Sequence, residues 1–149
     1  MVSSSPTAGG IARAERAALP VAVSTDQTET AEFLAAHGVE LVVLAGYMRI
    51  LSADFLARFP RTINIHPSLL PAFPGRTAIA DALAGGVRVT GVTVHWVDSG
   101  VDTGPIIVQE AVEVPYDGNA LELETRIHQV EHRLLTRTVR DIVSGAIRP

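Results

Sequence analysis

The sequence predicts an α/β fold, a parallel or mixed sheet with flanking helices, and three observations lead to it. Short apolar runs with β-branched residues, at 21–23, 41–44, 62–65 and 106–114, alternate with stretches of helical periodicity. The helical stretches are bounded by residues that cap and stop helices: Asp26, Ser52 and Asn119 at starts, Gly38 and the Gly85-Gly86 pair at ends. The polar residues with chemistry to offer cluster where the apolar runs end, which is where open α/β sheets keep their sites. With 149 residues, 47% of them hydrophobic, the chain has material for one core. The expected organisation is one domain over 1–149, with no repeat, linker or low-complexity segment.

Residues 11–19 read as a helix stopped by Pro20, and 21–23 as a short strand. Thr25 or Asp26 caps a helix running to His37, with Gly38 as its stop. Leu41-Val42-Val43-Leu44 is a strand of the buried type, apolar on both faces. Ser52 caps a short helix to Arg58, a strand covers 62–65, and a helix runs from Ala78 to Leu83. Next, Val92, Val94 and Trp96 alternate with Thr93 and His95, a strand with one apolar and one polar face. After a turn-rich loop, 106–114 reads as another strand. Asn119, with Glu122 three residues on, forms a capping box that opens the last long helix. The apolar stripe of that helix is Leu123, Ile127, Val130, Leu134, Leu135, Val139 and Ile142.

Composition removes several kinds of chemistry. The sequence has no cysteine, which excludes disulfides, a thiol nucleophile and thiolate metal sites. All twelve basic residues are arginines, so there is no lysine for a Schiff base or a phosphate-binding P-loop. A formal net charge of −4 argues against a nucleic-acid partner. No apolar stretch approaches ~18 residues, and the start Met1-Val2-Ser3-Ser4-Ser5-Pro6 has neither the basic nor the apolar part of a signal peptide. A cytoplasmic protein with no membrane partner is expected.

The most informative residue is His66, in the string Asn64-Ile65-His66-Pro67-Ser68-Leu69-Leu70-Pro71-Ala72-Phe73-Pro74-Gly75. Side chains alternate along a strand, so Asn64 and His66 leave its end on one face while Ile63 and Ile65 point the other way. Prolines 67, 71 and 74 then stiffen the following loop. An amide donor beside an imidazole suits stabilisation of negative charge on an oxygen, with a titratable member. The alternative is a strand-end histidine that merely satisfies a loop carbonyl. Downstream, Asp98, Ser99 and Gly100 form a turn and Asp102 follows, flanked by Thr103-Gly104-Pro105. A carboxylate in that loop could serve as a general base, directly or through water, if the fold brings it to His66; otherwise it is a turn residue.

Taken together, Asn64-Ile65-His66-Pro67-Ser68-Leu69-Leu70-Pro71 with Phe73-Pro74-Gly75, and Thr93 to Pro105 with Asp102 seven residues after His95, resemble phosphoribosylglycinamide formyltransferases. Ala45-Gly46-Tyr47-Met48-Arg49-Ile50-Leu51 is similar to that family's folate-side loop, and Glu131-His132 to its C-terminal helix. The resemblance runs from about Val2 to about Gly145. It implies a Rossmann-like formyltransferase fold and transfer of a formyl group from 10-formyltetrahydrofolate to the amine of glycinamide ribonucleotide, in purine biosynthesis. It further implies that Asn64 and His66 hold the formyl oxygen and that Asp102 handles protons through a bound water. Met48, Arg49, Ile50 and Leu51 would line the folate pocket, Glu131 would bond the ribose, and Thr93 and His95 would support the Asp102 loop. Two departures stand out. Arg76-Thr77-Ala78 follows Pro-Gly where relatives carry a bulky or His-containing stretch. The family's first strand and its Gly-Ser-rich phosphate loop are missing, so the domain is expected to be truncated at its N-terminus. An uncovered central strand would then leave room for a homo-oligomer.

A rival motif is His128-Gln129-Val130-Glu131-His132, whose H-x-x-E-H spacing places two imidazoles at i, i+4 as in inverted zinc peptidases. Arg126 and Arg133 beside it oppose a cation, and no third-ligand motif follows, so no metal is expected. Two other functions keep the same residues: a formyltetrahydrofolate hydrolase, in which water takes the formyl group, and a folate-binding remnant without catalysis. The hydrolase usually has a second histidine where this chain has Pro67, which favours the transferase.

Overall fold

Helix caps and strand periodicity set out the elements of the computed structural model, which describes residues 1–148. In order they are β1 (Val2–Ser3), α1 (Gly9–Arg16), β2 (Ala22–Val23), α2 (Gln27–Ala36), β3 (Val42–Leu44), α3 (Ala53–Arg58), β4 (Thr62–His66), α4 (Ala78–Ala84), β5 (Val89–Trp96), β6 (Ile106–Glu113) and α5 (Ala120–Val143). They fall into two compact units. One comprises residues 1–40 and 51–60; the other comprises residues 41–50 and everything from Arg61 onward.

The first unit holds a two-stranded parallel sheet, with Val2 opposite Ala22 and Ser3 opposite Val23, and three helices. Asp26 opens α2 by accepting the Thr28 and Glu29 N–H groups at 2.7 and 2.9 Å, which satisfies two of the four donors a helix start leaves free. Ser52 does the same for α3 through the Phe55 N–H. One expectation is corrected here. A strand, β1, precedes the first helix, which starts earlier than expected, at Gly9. The helix then stops at Arg16, before Pro20, because Ala18 turns into the left-handed region at φ 53° and the Leu19 N–H closes back on the Ala14 carbonyl.

The second unit is a four-stranded sheet in the order β3-β4-β5-β6. β3 runs parallel to β4, while β5 and β6 are antiparallel to their neighbours, so the sheet is mixed and not purely parallel. For β5 and β6 the cause is their connection: a loop of Val97 to Pro105 is shorter than the dozen or more residues a parallel crossover needs. Inward-facing Ile63 and Ile65 of β4, with Val92 and Val94 of β5, meet Leu123, Ile127, Val130, Leu134 and Ile142 of α5 in one core. Leu135 and Val139 pack on its margin. Each such side chain stabilises the fold by roughly 1.5–3 kcal/mol when fully buried. The Asn119 side chain caps α5 by accepting the Glu122 N–H at 3.1 Å. The same alternation that buries Ile63 and Ile65 turns Asn64 and His66 to the opposite face of β4, which fixes where the polar chemistry gathers.

Candidate active site

Register carries the polar residues together. Across β4 and β5, Asn64 pairs with His95 and His66 with Thr93, so four polar side chains occupy two adjacent rows on one face. The Asp102 loop returns over them, and its carboxylate lies between the rows. Oδ2 of Asp102 accepts the Gly75 N–H at 2.8 Å and lies 3.3 Å from His66 Nδ1. Oδ1 accepts from the Asn64 amide at 3.4 Å and lies 3.6 Å from His95 Nε2. Asp102 sits at φ 55°, a left-handed conformation that Asp tolerates better than most residues.

The ring orientations follow from backbone carbonyls. His66 Nε2 donates to the Phe73 carbonyl at 2.8 Å, which leaves Nδ1 facing Asp102 Oδ2. The imidazole edge and the carboxylate thus face each other across 3.3 Å. His95 Nδ1 donates to the Trp96 carbonyl at 2.8 Å, leaving Nε2 to accept from Asn64 at 3.3 Å. Both hydrogens of the Asn64 amide therefore point at long, weak partners, and an anionic oxygen nearby would compete for them. His66 is buried, at 4% exposure, in a setting that strengthens each of these interactions.

The expected site residues are distributed unevenly. Asn64, His66, His95 and Asp102 converge. Thr93 does not support the Asp102 loop: its hydroxyl donates to the Ser68 carbonyl at 2.7 Å and accepts the Leu70 N–H at 3.1 Å, holding the proline-rich loop instead. Its place in β5, opposite His66, puts it under that loop. The loop following β3 leaves the sheet level with Asn64, because Leu44 is paired with it. Met48 and Ile50 on that loop are exposed, at 56% and 64%, and Arg49 is exposed beside them. Leu51 departs from the expectation: it is buried at 6% in the other compact unit and offers no surface. Glu131 lies half-buried on α5, where burial pushes its carboxyl above the usual range against the fields of His128, His132 and His66. His128 approaches it at 3.9 Å, but no three ligating side chains are grouped to hold a metal among the described residues. The contributions of the Phe73 carbonyl, the Gly75 N–H and Gln109 are absent from the sequence reading. The first two are backbone atoms, and the third is one of three polar letters in a strand whose register the sequence does not set.

Comparison with known proteins fits this geometry. Residues 1–139 match the formyl transferase family. Phosphoribosylglycinamide formyltransferase of Mycobacterium tuberculosis is 55% identical over 115 residues, covering 76% of this chain and 53% of that protein. Its namesake in Bacillus subtilis is 47% identical over 113 residues, covering 75% and 58%. The chain thus spans little more than half the length of these curated relatives. The crystal structure of phosphoribosylglycinamide formyltransferase from Bacillus halodurans superposes with a TM-score of 0.91 at 40% identity, covering 98% of this chain and 80% of that one.

Proposed function

The chain belongs to the formyl transferase family, and on that premise we propose that it transfers a formyl group from 10-formyltetrahydrofolate to the amine of glycinamide ribonucleotide. The observation that supports this most is the convergence of Asn64, His66 and Asp102 within hydrogen-bond reach, from one strand and one loop. The amine attacks the formyl carbon, the carbonyl oxygen takes up negative charge, a proton passes from the attacking nitrogen to N10 of the folate, and the C–N10 bond breaks as the carbonyl re-forms. Asn64 supplies amide hydrogens to the oxyanion, exchanging its long contacts for a charge-assisted one. His66 supports the same oxygen from the Nδ1 edge, since its Nε2 is occupied by Phe73. Asp102, 3.3 Å from the His66 ring, receives and returns the proton in transit, directly or through water. Met48, Arg49 and Ile50 form the folate-side surface, and Glu131, with its raised pKa, takes the ribose.

Mixing the protein with a 10-formyl folate analogue, with and without glycinamide ribonucleotide, tests this reading. Release of deformylated folate only when the amine is present is expected. Release without it would replace the transferase with a hydrolase, and no release in either arm would leave a folate-binding protein.

A further inference from the structure

The row that begins with His66 does not end at Thr93. Thr93 of β5 is paired in register with Gln109 of β6, so His66, Thr93 and Gln109 lie side by side across three strands. Gln109 Nε2 donates one hydrogen to the Thr93 hydroxyl and the other to the Leu70 carbonyl, both at 2.9 Å. The Thr93 hydroxyl, which donates to the Ser68 carbonyl and accepts from Leu70 and Gln109, is thereby saturated. Alongside, Gly91 of β5 leaves room for Leu69: a Cβ there would come within 2.6 Å of the Leu69 side chain and 2.3 Å of the Glu110 carbonyl. The start of the 68–75 loop is thus fastened to the sheet on both sides. Its far end delivers the Phe73 carbonyl to His66 and the Gly75 N–H to Asp102.

We infer that Gln109 is a positioning residue for the His66–Asp102 pair, acting through this loop; the inference deepens the site reading proposed above and rests on it. Gln109 is exposed on the edge strand, where its side chain could stay in water, yet its amide turns inward onto the loop and the Thr93 hydroxyl. Its two N–H groups bridge the Leu70 carbonyl and the Thr93 hydroxyl, the same hydroxyl that accepts the Leu70 N–H, so one amide ties the loop to the sheet twice.

The test compares Gln109→Met, which keeps length and loses both donors, with Gln109→Glu, which sets a carboxylate against the Leu70 carbonyl. Thr93→Val and Thr93→Ser remove and keep the hydroxyl. The ¹⁵N signals of the His66 ring are recorded first, since they need no turnover. Gln109→Met and Thr93→Val are expected to move them away from the wild-type pattern, Gln109→Glu to move them further, and Thr93→Ser to retain them. In the formyl-transfer assay Gln109→Met is expected to lower kcat by up to about 10²-fold, as small misplacements of catalytic groups do, while KM for the formyl donor hardly moves. Unchanged His66 signals in a folded Gln109→Met protein would overturn the inference, as would loss of the fold in both Gln109 variants, which would make the amide purely structural. A wild-type protein without formyl transfer would end the functional reading, yet the imidazole signals would still decide the role of Gln109.

Discussion

Asp102 meets four neighbours with two oxygens, and each neighbour restricts what may stand in its place. Gly75 N–H and His66 Nδ1 face one oxygen, the Asn64 amide and His95 Nε2 the other. In Asp102→Asn the new NH₂ would meet either the Gly75 N–H or the Asn64 amide, donor against donor, whichever way it turned. Asparagine tolerates the left-handed backbone, so the fold should survive. We predict that single-turnover measurements of this variant show the chemical step slowed by about 10²–10⁴-fold, the usual contribution of a positioned proton-transfer group. Asn64→Ala should lose a similar factor in kcat with folate affinity little changed. Glu131 offers a second prediction, on stability. Its carboxyl is raised above 4.5 chiefly by burial, so the folded state favours the protonated form. That contribution is complete below the unfolded value and is lost as pH rises through the folded one. Thermal melts of Glu131→Gln should therefore gain on wild type as pH climbs from about the ordinary carboxylate range, near 4.5, toward neutrality. A constant difference across that span would count against it. The polar side chains of this site were readable because an N-x-H at a strand end has one meaning for period-two geometry. Backbone groups such as Phe73 O and Gly75 N carry no letter of their own.

Elements show the same division. The Asp26, Ser52 and Asn119 caps fell where the sequence put them, because a cap is a contact within three residues and needs no tertiary context. β1 and the end of α1 were hidden: a two-residue strand in Val-Ser has no period to detect, and a left-handed alanine carries no glycine to announce it. The register of Thr93 with Gln109 was hidden for a different reason, since it depends on where two strands slide past each other. The turn that joins those strands is also where an element can be broken most cheaply. A Cβ on Gly104 would lie 1.8 Å from the Trp96 carbonyl, so Gly104→Ala must force the β5–β6 connection apart. We expect this variant to lose formyl transfer along with the Asp102 loop while far-UV circular dichroism still reports the helices; wild-type activity would show that the turn can open without cost.

At the scale of the whole molecule the consequential feature is an edge. β3 pairs with β4 on one side and has no ladder partner on the other among the described residues, although Val43 on it is exposed. A short apolar edge of this kind invites pairing with another chain. Light scattering is expected to show association that grows with concentration, and Val43→Lys, which charges the edge, to reduce it. A monodisperse monomer at every concentration would contradict this. Another property of the whole chain comes from a single residue. Trp96 is the one tryptophan in the sequence, and it closes β5 with its N–H on the Pro105 carbonyl and its own carbonyl on His95. Its peptide is therefore tied to both ends of the segment that carries Asp102. Native indole fluorescence, excited where the two tyrosines do not absorb and with no second tryptophan to dilute it, becomes a local gauge of that segment: a change in emission on adding a folate, without any label, would time the loop's response separately from the chemistry.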